Sequence, residues 1–392
     1  MAGGKPIRGE YLAFGRPVIC EDEINEVIDA LKSGWLSTGP KTELFERRFA
    51  QYIGSQFACA LNSCTAGLHL SLIVTGIGEG DEVVTTPMTF CATINVIVHL
   101  RARPVFVDIR RDDYNLDPSR IEEKITSKTK AILPVHLYGY PCQMDEILRI
   151  ARENNLVVIS DCAHALEAEH QEKKVGALGD LATFSFYATK NVTTGEGGMV
   201  TGSDLSFEER LRVLRLHGLS VDAWKRYSQE GTGGYDIEVP GYKYNMSDIQ
   251  AALGLRQLEK VEEYLKIREQ YWQMYNQAFS EIEEIITPSE PNNGRHAHHL
   301  YPVLIKSECL KINRNDFKEA LHQENIGTGV HFQPVHLLSY YQKTFGFKRG
   351  DFLNAEYVGD RTLSLPLSPG LTPDDIVDTI EAVKRIASYY RR

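Results

Sequence analysis

The sequence predicts an α/β protein, a large domain with a mostly parallel central sheet flanked by helices, followed by a smaller α+β C-terminal domain. Three observations carry that expectation. Between about residues 65 and 215, short β-rich runs alternate with helical patterns, the signature of βαβ units. At 392 residues the chain is longer than one hydrophobic core usually organises, so two domains are expected. No internal repeat or low-complexity segment suggests another architecture.

Taken in order, helical periodicity predicts helices at Asp22–Ser33 and Thr42–Ile53, then at Ala66–Thr75, Met144–Asn154 and Glu208–Leu216. The expected strands are Glu82–Thr86, Val105–Ile109, Ala131–Val135, Leu156–Asp161, Ala182–Tyr187 and Met199–Thr201. A long amphipathic stretch from Met246 to Phe279 sets Leu253, Leu258, Val261, Leu265 and Ile267 near helical spacing, and is expected to lead into the second domain. The boundary is put between residues 260 and 261, giving an N-terminal segment with the large domain (1–260) and a linking helix with the small domain (261–392). Within the latter, strands are expected at Leu300–Ile305 and Gly329–Phe332, and helices at Asp316–Gln323 and Asp374–Tyr389.

Composition narrows the functional classes. With 42% hydrophobic and 24% charged residues the chain is ordinary globular material. A formal charge of −10 argues against a nucleic-acid surface, where a basic stripe is expected. Met1–Arg16 lacks the apolar core of a signal peptide, and apolar runs such as Ile94–Val98 are too short to span a bilayer, so a cytoplasmic protein without a membrane partner is expected. Seven scattered cysteines without a CxxC pair fit reduced thiols better than a disulfide or zinc framework.

The most informative residue is Lys190, which ends the apolar run Ala182–Ala188 and precedes the glycine-rich Gly195-Glu196-Gly197-Gly198. An ammonium beside so much aromatic surface is poorly solvated, which favours a neutral nucleophile able to condense with a carbonyl. The alternative is a strand-end lysine that snorkels to water. Asp161 closes another apolar strand at its carboxyl end, where ligands bind in open α/β sheets, and such a carboxylate can hold a pyridine nitrogen protonated. It can equally cap the next helix.

In Asn62–Leu70, small hydroxyl residues start a helix, where free N–H groups favour a phosphate, although the same pattern is a common N-cap. Ser185 could add a hydroxyl to that anion. Phe90 could stack on a planar ring or pack in the core, and His164 could stack, hydrogen-bond or sit satisfied in a helix turn. Gly76–Asp81 fails the dinucleotide pattern, because Asp81 stands where the third glycine belongs and the run precedes a strand. His296, His298 and His299 lack a cysteine or acidic partner in pattern, so structural or substrate-facing histidines fit better than a metal site, and no metal is expected.

Together these segments resemble, over nearly the whole chain, the DegT/DnrJ/EryC1/StrS nucleotide-sugar aminotransferases. The resemblance rests on Ser33–Pro40, Asn62–Leu70, Gly80–Val83, Thr89-Phe90, Asp108, Val135–Gly139, Asp161–Ala165, Phe184–Asn191, Gly195–Gly198, Gly241–Leu253 and Leu365–Leu367, in that order. It implies fold-type I architecture, pyridoxal 5′-phosphate as cofactor with pyridoxamine 5′-phosphate as its intermediate form, and glutamate as amino donor. Lys190 then matches the Schiff-base lysine and Asp161 the partner of the pyridine nitrogen. Ser63, Cys64, Thr65, Ala66 and Ser185 fall at the phosphate, Phe90 at the ring-stacking position, and His164 where many members have glutamine.

The resemblance also implies a homodimer with shared active sites, in which the loop Gly241–Asp248 reaches the neighbour's cofactor phosphate. Here the wording departs from the commoner one, leaving Lys243 and Asn245 as alternative contacts. That wording, with Leu216–Trp224, looks most like the branch that aminates C4 of UDP-4-keto sugars; Trp35, Thr38 and His331 are implied on the substrate side. The rival within the family is amination at C3, or of a GDP- or dTDP-linked sugar. A sugar dehydratase on this fold would carry histidine in place of Lys190, and a cofactor-binding regulator would need an added DNA-binding domain.

Overall fold

The alternation between residues 65 and 215 folds into one seven-stranded sheet. The structure is a computed structural model and describes residues 4–219 and 236–392; the predicted Leu216–Trp224 motif lies outside the described residues from Ser220 onward. The strands are β1 (Phe57–Leu61), β2 (Glu82–Thr85), β3 (Arg103–Phe106), β4 (Thr129–Leu133), β5 (Val157–Asp161), the hairpin β6 (Glu169–His170) and β7 (Lys173–Lys174), β8 (Leu181–Ser185) and β9 (Gly198–Gly202). The large sheet has the order β1-β9-β8-β5-β4-β2-β3. All its strands run one way except β9, which is antiparallel to both neighbours.

Helices α1 (Glu21–Ser33), α2 (Pro40–Ile53), α3 (Cys64–Val74), α4 (Cys91–His99), α5 (Met144–Asn154) and α6 (Leu205–Leu214) belong to this part. Apolar clusters lie against the sheet. Phe45 and Phe49 of α2 pack on Phe184 and Phe186, while Leu68 and Leu72 of α3 pack with Val83, Leu133 and Val200. Strands buried this thoroughly need no polar alternation, which is why β1, Phe-Ala-Cys-Ala-Leu, escapes a sequence reading that looks for β-branched or alternating residues.

The expected Met246–Phe279 stretch is two helices, α7 (Asp248–Glu259) and α8 (Val261–Phe279), joined at Lys260. Ser247 and Gln250 form a capping box at the start of α7. Beyond them come β10 (Ile285–Ile286), β11 (Gly294–Arg295), β12 (Tyr301–Ile305), α9 (Arg314–Gln323), α10 (Ser339–Phe345), α11 (Leu353–Arg361), β13 (Thr362–Leu365) and α12 (Pro373–Tyr390). The strand expected at Gly329–Phe332 does not form. Only Gly329 bridges Ser364, and the place beside β12 belongs to β13. Helices α4, α10 and α11 were not anticipated.

The first residues are tied to the C-terminal part: Leu12 bridges Ile326, and Arg8 pairs with Asp375 at 2.7 Å. This leash brings Phe14 to the edge of the large sheet. Among the described residues, no helix is long and apolar enough to cross a membrane.

A buried ion pair joins three elements. Glu46 on α2 accepts from the Ala60 amide of β1 (2.8 Å), from Arg212 (3.0 Å) and from Arg215, the latter just past α6. Burial pushes the Glu46 carboxyl up, but the two guanidiniums outweigh it and hold it below the usual range. Its contribution to stability is therefore complete above the unfolded pKa of about 4.3 and is lost as pH falls through the lower native value. Glu46→Ala should cost about 3–5 kcal/mol by urea unfolding at neutral pH, with a flatter stability profile below pH 4; an unchanged midpoint would refute this role.

Candidate active site

Strands that end at one edge deliver their loops to one edge. Asp161 is the last residue of β5, Ser185 the last of β8, and Lys190 follows in the loop after β8. Ser63, immediately beyond β1, caps α3, its hydroxyl accepting from the Ala66 amide at 3.1 Å. The loop after β2 brings Phe90 and α4. Among these ends opens a cavity of about 460 Å³, lined by Ser63, Cys64, Thr65, Phe90, Asp161, His164, Ser185, Lys190 and His331. These are most of the residues singled out from sequence.

Asp161 is buried and doubly held, Oδ1 accepting from the Ala163 amide (3.0 Å) and Oδ2 from the Thr93 hydroxyl (2.9 Å). Burial raises its pKa, with those two bonds and Lys190 pulling the other way. Lys190 is half-buried at the cavity wall, and desolvation lowers its pKa to about 8 although Cys64 and Asp161 oppose this. His164 accepts the Tyr138 amide on Nδ1 (3.2 Å). Burial, with Lys190 adding to it, depresses this histidine well below its ordinary value, so the neutral ring carries its proton on Nε2. His331, depressed to about 4 by burial and by Lys190, pairs through Nδ1 with Ser364 (2.9 Å).

Phe90 is 58% exposed and does not pack in the core; its ring lies 5.9 Å from Phe332, which in turn stacks on His164 at 6.0 Å. Ala66 is buried behind Ser63. Trp35, Thr38, Lys243 and Asn245 lie outside the cavity lining, and the last three form a neighbourhood of their own: Asn245 Nδ2 donates to Thr38 Oγ1 (2.7 Å) and Lys243 bonds Asn245. The three neighbouring histidines part company. His296 and His298 stack on each other and pack at a tilt against Trp272, whereas His299 turns to the cavity. Sequence reasoning missed Thr93, Phe14 and Phe332, and gave His299 no defined part. Thr93 sits on the unanticipated α4, and Phe14 and Phe332 are remote in sequence from the strand ends they meet.

The model of the DegT/DnrJ/EryC1/StrS aminotransferase family matches residues 17–384. The chain belongs to that family. It is 57% identical over 98% of its length to the whole of an uncharacterized protein, MJ1066, of Methanocaldococcus jannaschii. It is 48% identical over 97% of its length to 98% of SpsC, a spore coat polysaccharide biosynthesis protein of Bacillus subtilis. The structure superposes with a TM-score of 0.91 on the PMP-form of the putative sugar aminotransferase Spr1654 from Streptococcus pneumoniae, 34% identical, covering 96% of this chain and 99% of that one.

The residues present fit the family's pyridoxal phosphate. An amine of lowered pKa and a carboxylate with lone pairs to spare share one cavity with the first turn of α3, whose leading amides have no intrahelical acceptor. That turn lies against β9 so closely that a Cβ on Gly198 would come within 2.3 Å of the Ser63 carbonyl carbon.

Two outcomes are expected. Gly198→Ala should displace the Ser63–Cys64 turn and weaken cofactor retention at least about tenfold in equilibrium dialysis, each tenfold corresponding to about 1.4 kcal/mol; undiminished retention would contradict the packing. In cofactor-free protein, the rate at which Lys190 reacts with an amine-directed reagent should rise through a midpoint near pH 8. A midpoint at the ordinary lysine value of about 10.4 would refute the desolvation argument.

Proposed function

We propose that the protein transfers an amino group from glutamate to the 4-keto carbon of a nucleotide-linked sugar, with UDP as the nucleotide, giving a 4-amino sugar. The observation that carries the reading is that Lys190 and Asp161 reach one cavity from the carboxyl ends of adjacent parallel strands. Membership of an aminotransferase family, and similarity to a polysaccharide biosynthesis protein and to a putative sugar aminotransferase, support a sugar as the acceptor. The C4 position and UDP rest on the wording of Gly241–Asp248.

When bound, pyridoxal phosphate supplies the electron sink that makes a carbon–hydrogen bond next to nitrogen acidic, and it carries the amino group between substrates. The protein does the rest. Lys190 Nζ, whose pKa burial lowers to about 8 so that a usable neutral fraction exists near physiological pH, takes the proton from the α-carbon of glutamate and returns one at the sugar's C4 as the amine is installed. Asp161, fixed by Ala163 and Thr93, would supply the negative charge that favours a protonated ring nitrogen. The first turn of α3, with Thr65 and Ser185, receives the phosphate. His164 offers its Nε2–H to the cavity, Phe90 would cover the ring, and His331 would face the sugar. Binding of the distant nucleotide positions the ketone.

The active unit is proposed to be a homodimer. Thr38, Lys243 and Asn245 lie together outside this chain's own lining, as groups that serve a neighbour's cavity would.

Lys190→Ala should lower the amination rate by at least about a thousandfold, within the range for loss of a general acid–base, while phosphate-anchored cofactor remains bound. Retained turnover would remove Lys190 from the mechanism. Asp161→Asn should slow both half-reactions in single turnover. Incubation with glutamate and a panel of 3-keto and 4-keto nucleotide sugars, read by product NMR, should place nitrogen at C4 of a UDP-sugar; nitrogen at C3 would overturn the regiochemistry. Sedimentation at assay concentration should show a dimer, and a fully active monomer would overturn the shared site.

A further inference from the structure

Behind Lys190 a buried polar chain runs from α8 to the cavity wall. Arg268 donates from Nη2 to Glu167 Oε1 (2.6 Å), and Glu167 accepts on Oε2 from Asn191 Nδ2 (2.8 Å). Asn191 donates its second amide hydrogen to the Ala297 carbonyl (3.1 Å), and its Oδ1 meets His299 Nδ1 at 2.8 Å. Arg268 and Glu167 are almost wholly buried, and His299 nearly so.

The chain of donors has only one consistent assignment. Both partners of the Asn191 nitrogen, an arginine-paired carboxylate and a backbone carbonyl, can only accept, so a flipped amide would set oxygen against oxygen twice. The amide oxygen left for His299 also can only accept, and His299 must donate from Nδ1. Burial, then the nearby Lys190 charge, hold this histidine well below its ordinary pKa, so the ring is neutral and Nε2 carries a lone pair. Nε2 has no hydrogen-bond partner among the described residues, and His299 lines the same cavity as Lys190.

We propose that, once the Lys190 amine is freed during turnover, His299 Nε2 accepts a hydrogen bond from it, a contact not made in the resting structure, and that Glu167 and Asn191 are positioning residues that fix the tautomer this contact requires. The inference rests on the reading of Lys190 as the proton-moving amine. An amine with one N–H engaged by His299 has its own lone pair oriented, and a base must be oriented toward the carbon it deprotonates. The neighbouring ring is complementary: His164, 4.5 Å away by ring centroid, holds the opposite tautomer through the Tyr138 amide. One ring offers a donor to the cavity and the other an acceptor.

The two nitrogens can be tested separately, because an asparagine amide reaches the Nδ1 position and a glutamine amide the Nε2 position. In the cofactor-loaded enzyme, solvent exchange of the glutamate α-hydrogen should stay within about threefold of wild type in His299→Gln. In His299→Asn it should fall by about tenfold or more, with KM for glutamate nearly unchanged. An Asn variant as fast as the Gln variant would overturn the proposal, since that ordering belongs to a merely structural contact at Nδ1. Glu167→Gln should slow the same exchange at constant KM, and a wild-type rate would overturn its positioning role. Neutron diffraction of cofactor-free wild-type crystals in deuterated solvent should place deuterium on Nδ1 of His299 and none on Nε2; the reverse overturns the tautomer. If wild type exchanges no donor hydrogen at all, the aminotransferase reading fails, while the neutron result still decides the tautomer.

Discussion

The pocket depends on one constraint, the common direction of six strands in a single sheet. Because β1, β2, β4, β5 and β8 all end at the same edge, residues from widely separated parts of the sequence arrive there without long excursions of the chain. The exception, β9, is equally necessary. Running back between β1 and β8, it sets Gly198 against the turn that opens α3, a contact no larger residue permits. Parallel strands thus supply the side chains, and the antiparallel one presses the anion-binding turn into place.

The molecule buries charge in two distinct ways. Away from the cavity, two buried carboxylates are matched by guanidiniums: Glu46 with Arg215 and Arg212, and Glu167 with Arg268. Such pairs offset the cost of desolvation and join elements that would otherwise only touch through apolar contacts. Within the cavity the charges are less well compensated. Among the described residues Lys190 has no salt-bridge partner in hydrogen-bond range, and Asp161 is held by a hydroxyl and an amide, so burial moves each pKa toward neutrality. Perturbation of this kind concentrates where protons must move.

How much was legible in sequence follows from the range of the signals. Lys190, Asp161, Ser185 and the Ser63–Ala66 turn were readable because each combines a local pattern, an apolar strand or an N-cap, with a chemically suitable residue just beyond it. The same logic located most of the strands. It failed at β1, whose small apolar residues lack the strand signature, and at Gly329–Phe332, whose β-rich composition serves the cavity wall instead of a ladder. Phe14 and Phe332 were invisible as site residues because their position depends on how the C-terminal part folds back and takes the N-terminal leash with it. His299 was seen only as one of three histidines. Its meaning comes from the orientation of the Asn191 amide, which no one-dimensional pattern encodes.

Charge accounting also bears on how the substrate is held. Among the described residues lining the cavity, Lys190 is the only lysine or arginine, and His164, His299 and His331 are all kept neutral by burial. The turn of α3 can balance one phosphate through its amides and dipole. In the proposed reaction a nucleotide diphosphate brings further negative charge, and Lys190 is committed to the reacting carbon. The remaining cations must therefore come from outside this lining. Lys243 is exposed, lies beside Asn245 and Thr38, and stands on a loop that bridges back to Leu61 at the end of β1. A cation held near the end of β1 but absent from the cavity wall suits a second copy of the chain, so the lack of positive charge in the wall is itself an argument for assembly.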